Sequence, residues 1–187
     1  FDLMKQAAQW LSMQPDGSGV TLHLIGNRPE GAAGLPQNII YHGPQPYNSL
    51  PAWLAAMDIG LCLYYPGLAD FSSPLKLFDY LSSGLAVVST YQPQVCEILG
   101  QLDANDLLVP PNDPQALGQT LLQLLVNRDR VVSLGERGRQ LVIEKYNWKG
   151  LIGEIFKEIE TVREEKKSRE VYRRVREITS ALKGVRK

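Results

Sequence analysis

Residues 70–90 read DFSSPLKLFDYLSSGLAVVST, and the fold follows from how this stretch is divided. Ser72 and Ser73 precede Pro74, and a helix is expected to start there. Proline suits a first helical turn because its missing N–H would have no partner at that position. Gly84 closes the helix, and LAVVST follows as a buried strand. On the other side, residues 58–65 (DIGLCLYY) form a nearly continuous apolar run. Such a run is what a strand covered by helices on both faces looks like.

The same alternation extends outward. Leu3, Met4, Ala7, Ala8 and Leu11 recur at helical spacing, so residues 1–13 read as an amphipathic helix. Two short strands ending in Gly26 and Gly43 follow, separated by a Gly/Pro-rich loop. A short helix then has Ser49 as its expected cap and Pro51 in its first turn. Beyond the central stretch come a helix at PQVCEILG, a strand at DLLVPP, and a helix capped by Asp113 with Pro114 at its first position. Further helices run nearly to the end. The expected class is α/β, a doubly wound parallel sheet with a long C-terminal helical extension. Ligands of such sheets bind beyond the carboxyl ends of the strands. The loops after Gly26, Gly43, Tyr65 and Thr90 are therefore the ones to watch.

The chain has 187 residues, 44% hydrophobic and 21% charged, which suits one ordinary globular domain and excludes a disordered or fibrous one. No apolar run approaches the ~20 residues of a membrane span. Cys62 and Cys96 have no metal-type spacing and read as buried thiols of a reducing compartment. The expected location is cytoplasmic. The net charge of zero hides a division: residues 163–187 hold ten Lys or Arg against four acids, leaving +6 there and −6 in residues 1–162. Phe1 is followed by DLMKQAAQWL, which already reads as helix interior, so a fragment lacking an upstream part is expected. The division drawn is a domain over 1–162, its first strand absent, and a tail over 163–187.

The chemistry is expected between Asp70 and Gly84. Backbone N–H groups near Leu75 and Lys76, with the positive end of the helix dipole, make an anion site. Lys76 adds a charge, and Ser72 and Ser73 add donors. A phosphate or diphosphate is the natural guest. Asp79, three positions after Lys76, is a carboxylate that accepts two hydrogen bonds, as a ribose diol requires. The competing reading is a plain serine cap followed by an exposed i,i+3 ion pair.

Residues 22–27 (LHLIGN), 39–43 (IIYHG), 50–66, 73–90, 95–99 (VCEIL), 107–117 and 146–148 (YNW) together resemble, in order, the C-terminal domain of retaining GT-B-fold glycosyltransferases of the group-1, GT4-like family. The resemblance covers residues 1–162. It implies the Rossmann-like C-terminal half of a GT-B enzyme, a hexosyltransferase using a UDP- or GDP-sugar with retention of configuration. It implies no further cofactor and no metal. In that family an E-x7-E motif lies on this helix: the second acid holds the ribose, the first the donor sugar, and backbone N–H groups between them the diphosphate. The second acid falls on Asp79. The first falls on Phe71, a departure, with Asp70 beside it; relatives with an S-P-x-K-x-x-E pattern share that departure. Diphosphate contacts fall on Ser72, Ser73, Pro74, Leu75 and Lys76. Gly26, Asn27, Gly43, Pro44 and Tyr65 would line the base or the cleft. The implied partners are the nucleotide sugar and an absent N-terminal acceptor domain, without which little transferase activity is expected. Catalytic residues are not assigned.

Other features carry less. His23 and His42 lack spaced partners for metal or triad chemistry. Glu97 and Tyr64 could line the cleft or be solvated and packed, respectively, and Trp148 reads as a packing anchor for the last helix. Val171, Val175, Ile178, Leu182 and Val185 line one face of a basic helix. Such a helix can dock on another domain, on a second copy, or on an anionic membrane surface. Nucleic acid is not an expected partner. A nucleotide-binding scaffold without catalysis is the alternative function, and a sugar-nucleotide epimerase a third.

Overall fold

The stretch around Pro74 folds as helix α3 (Leu75–Ser82) followed by strand β4 (Ala86–Thr90), all five of whose residues are buried. The computed structural model describes residues 1–65, 67 and 72–184, with side chains described through residue 177. Asp70 and Phe71 lie outside the described residues. In order, the other elements are α1 (Asp2–Ser12), β1 (Leu22–Ile25), β2 (Ile39–Gly43), α2 (Leu50–Ala55), β3 (Ile59–Cys62), α4 (Pro93–Gln101), β5 (Leu108–Val109), α5 (Pro114–Val126), α6 (Arg128–Lys145) and α7 (Trp148–Gly184).

Every strand pairing is parallel. Parallel neighbours need a crossover, and each one here is reached through a helix or a long loop. β4 is central in the order β3-β4-β5, while β1 and β2 form a separate two-stranded sheet. The architecture is thus α/β with parallel sheets flanked by helices and a long C-terminal helix. Hydrogen bonding divides it into two ladders rather than one. The edges left by that division, β1 and β3, border one cavity.

Leu77 and Leu81 of α3, Val95, Ile98 and Leu99 of α4, and Leu117 and Leu124 of α5 are buried, with α3 packed on β3 and β4 and α5 on β5. Each fully buried leucine contributes roughly 1.5–3 kcal/mol. Met4, Ala7, Ala8 and Leu11 form the buried stripe of α1, as their spacing requires. α1 packs on α5, where Gly118 leaves room for the Trp10 ring.

Two caps differ from expectation. Asp113 does cap α5, its Oδ1 accepting from the Ala116 N–H at 2.8 Å. Ser49 precedes α2 but its hydroxyl donates back to the Pro46 carbonyl at 2.7 Å, so it gives α2 no side-chain cap. Pro74 stands at the N-cap of α3 rather than inside its first turn. The Leu75 N–H is taken by the Ser73 carbonyl at 2.9 Å, a tight turn that fixes the entry to the helix before the helix begins.

Residues Phe1–Ile143 form one compact unit and the chain from Glu144 onward a second. In the second, α7 runs as one helix through residues 162 and 163. Trp148 opens it 79% exposed and so does not serve as a packing anchor. Val171 and Val175 are 60% and 55% exposed; Ile178, Leu182 and Val185 have side chains outside the described residues. No helix among the described residues is long and apolar enough to cross a membrane.

Candidate functional site

Lys76 and Asp79 sit on α3 one turn apart, and both line the same cavity of about 910 Å³. Helix geometry requires this once one of them faces it, since residues three apart share a helix face. Ile25, Gly26 and Asn27, at the carboxyl end of β1, line that cavity too, as do Leu61 and Leu63 at the carboxyl end of β3. A parallel α/β unit places its ligand-binding loops at these ends. Both α3 side chains are exposed. Among the described residues they are not joined to each other in an ion pair.

The electrostatics beneath Lys76 favour an uncompensated positive charge. Cys62 is buried, and burial pushes its thiol up to about 12, against a lowering pull from the Lys76 ammonium. Burial likewise pushes Tyr64 and Tyr80 up to about 12, with the Cys62 thiol adding to both shifts. All three groups stay protonated and neutral at pH 7. No thiolate or phenolate therefore competes for the Lys76 charge, and Cys62 is an unreactive thiol.

Thr90, named from the sequence only as the end of a strand, and Gln92, not singled out there, hold this region together. Thr90 Oγ1 accepts from the Tyr64 N–H at 2.6 Å and donates to the Tyr64 carbonyl at 3.0 Å, so a side chain extends the pairing of β3 beyond its last ladder bond. Gln92, 4% exposed, caps α4 by accepting from the Val95 N–H at 2.8 Å. Its Nε2 donates to the Ser72 carbonyl at 2.8 Å, tying the entrance of α3 to the start of α4. Glutamine is not among the preferred helix caps, so neither this cap nor the hold on Ser72, twenty positions away, was legible in the sequence.

The other candidates separate into two groups. Gly26 and Gly43 are brought together, the Gly26 N–H donating to the Gly43 carbonyl at 3.0 Å, and Tyr41 donates its hydroxyl to the Gly26 carbonyl at 3.2 Å. Of these loops, only Gly26 and Asn27 border the cavity; Gly43, Pro44 and Tyr65 do not. Ser72 is half-buried and Ser73 exposed. Glu97 is exposed on α4.

His23 and His42, read from the sequence as unpartnered, lie side by side. Nδ1 of His23 and Nε2 of His42 are 2.9 Å apart, the rings stack at 5.1 Å, and Trp53 tilts against His42 at 4.5 Å. A register shift in the β1–β2 ladder between Leu24 and Ile25 accompanies the pairing. In that bond one ring nitrogen donates and the other must be unprotonated to accept. Burial, and then the charge of His42, hold His23 below its usual 6.5. A histidine held low in the folded state stabilises the fold above its unfolded pKa, and that contribution is lost as the pH falls. The thermal midpoint is therefore expected to drop more steeply from pH 7 to 5 than in His23→Gln; parallel curves would remove the effect. Among the described residues no group of three His, Cys, Asp or Glu side chains is placed to hold a metal ion.

A family model described as glycosyl transferases group 1 matches residues 1–127. No curated protein sequence matches the chain.

Proposed function

We propose, for a chain that belongs to the group 1 glycosyl transferase family, that the cavity beside α3 receives the nucleoside diphosphate of a sugar donor. The reaction is transfer of a hexose from a UDP- or GDP-sugar with retention of configuration, as in GT4-like enzymes, the acceptor being brought by a companion domain. The supporting observation is that Lys76 and Asp79 line one cavity from one helix face.

In this reading Lys76 faces the diphosphate; Ser72, Ser73, Pro74 and Leu75, expected from the sequence to share that contact, do not line the cavity, and the Leu75 N–H is already bonded to the Ser73 carbonyl. As the glycosidic bond to the donor breaks, negative charge grows on the leaving diphosphate. The Lys76 ammonium, close enough to neutral Cys62 to pull on its thiol, stabilises that charge electrostatically. Asp79 accepts hydrogen bonds from the ribose hydroxyls, and Gly26 and Asn27 border the remainder of the nucleotide.

Calorimetry with UDP, GDP, ADP and inorganic pyrophosphate tests the assignment. Asp79→Asn is expected to weaken nucleoside diphosphates by about 10-fold or more, as loss of a hydrogen bond to a charged group does. Pyrophosphate, which has no ribose, should bind Asp79→Asn as it binds the unaltered chain. Equal losses for pyrophosphate and UDP would remove Asp79 from ribose binding. No binding of any nucleotide at millimolar concentration would favour the scaffold alternative.

A further inference from the structure

Helix α7 carries an apolar stripe that stays open to solvent. Trp148, Ile152, Ile155, Ile159 and Val162 follow one another at spacings of 4, 3, 4 and 3, the pattern that keeps one seam of a helix turned toward a partner helix. All five are between 41% and 79% exposed, and Phe156 beside them is exposed too. Written as heptads, Ile152 and Ile159 take a positions, and Trp148, Ile155 and Val162 take d positions. A contiguous exposed apolar face of this kind marks an interaction surface.

The seam stops at Val162. Continued at the same spacing it meets Lys166, Arg169, Arg173 and Arg176, cations that would face their own copies across a pair of like helices. Val171 lies nine positions past Val162, two and a half helical turns on, and so belongs to the opposite face.

The charges beside the seam select what covers it. Glu158 precedes the a position of Ile159, and Arg163 follows the d position of Val162, which makes them g and e residues. Five positions apart, they do not adjoin along one helix, where pairs form at three or four. Neither is in an ion pair among the described residues, whereas further along α7 Glu164 pairs with Lys167 and Glu170 with Arg174. In a parallel pair of α7 helices, Glu158 of each copy meets Arg163 of the other. Leu151 and Phe156, the preceding g and e residues, meet in the same way and widen the apolar contact. An antiparallel pair along this seam would instead set Lys149 against Arg163 and Glu158 against Glu158. The stripe is also unsuited to an anionic membrane. Residues 148–162 hold two lysines against three glutamates, whereas a helix lying on such a surface is rich in Lys and Arg.

We propose that residues 148–162 of α7 form a parallel coiled coil with a second copy of this chain. β-Branched residues at both a and d positions admit a third copy in the same register.

Sedimentation equilibrium over a range of chain concentrations tests the association. The mass is expected to rise from one chain toward two or three. Ile155→Asp, which puts a charge into the seam, should hold it at one. Ile155 is 58% exposed, so the fold should survive that change, and an unchanged circular dichroism spectrum checks this. Orientation is read from the charges. Glu158→Arg and Arg163→Glu should each weaken association about 5-fold or more at low salt, and the two together should restore it. Val162→Cys should give a disulfide between copies under mild oxidation that the unaltered chain, with Cys62 and Cys96, does not give, because like positions adjoin in a parallel pair. A mass of one chain at every concentration would overturn the proposal, as would association that Ile155→Asp leaves intact. So would a chain that stays single yet binds phosphatidylserine vesicles through this stripe. Charge reversals without effect, together with no disulfide in Val162→Cys, would overturn the parallel arrangement. No readout involves nucleotide, so the result stands apart from the roles given to Lys76 and Asp79.

Discussion

Lys76→Ala is expected to weaken binding of UDP or GDP by about 10- to 100-fold, the range for a charge-assisted hydrogen bond of about 1.5–3 kcal/mol. Lys76 is exposed at the cavity mouth, so the lower part of the range should apply at physiological salt and the upper part at low salt. Stability should change little, within roughly 0.5 kcal/mol, because Lys76 is in no ion pair among the described residues. Lys76→Arg restores the charge and should recover most of the affinity, unlike Lys76→Met, which restores only length. Titration calorimetry at two salt concentrations measures all of this. An alanine variant that binds UDP and GDP as tightly as the unaltered chain would take the diphosphate away from α3.

The second large effect concerns the turn that ends α3. Gly84 has φ +80°, the left-handed conformation that glycine supplies at a helix end. Helix α6 passes directly over it, and a Cβ built on Gly135 would meet the Gly84 carbonyl. The obstacle is backbone, not the free end of a side chain, so either α6 lifts or the α3 turn moves. Gly135→Ala is expected to cost about 3 kcal/mol, a fall of roughly 6–12 °C in the thermal midpoint of a chain this size. Gly153, on the second unit, has nothing within 4 Å of its added Cβ. There the same substitution should be neutral or stabilising by up to about 1 kcal/mol, since alanine is the better helix former. If both variants melt alike, the contact of α6 with the Gly84 turn is not tight.

What the sequence determined by itself is local. The apolar run of residues 85–90 made β4 a buried strand, the spacing of Met4, Ala7, Ala8 and Leu11 made the stripe of α1, and Asp113 before Pro114 marked the start of α5. Lys76 and Asp79 share a face because of helix pitch alone. Each of these rests on interactions within about four residues, and the residue types record such interactions directly. Only the tertiary structure decided that the sheet is split into two ladders, that His23 meets His42, that Gln92 grips Ser72, and that Gly135 abuts Gly84. Pro74 at the cap of α3 and the exposed Trp148 belong with these. Such pairings join residues 19 to 51 positions apart. They depend on ladder register and on the angle at which helices cross, where a shift of one residue turns a side chain to the opposite face.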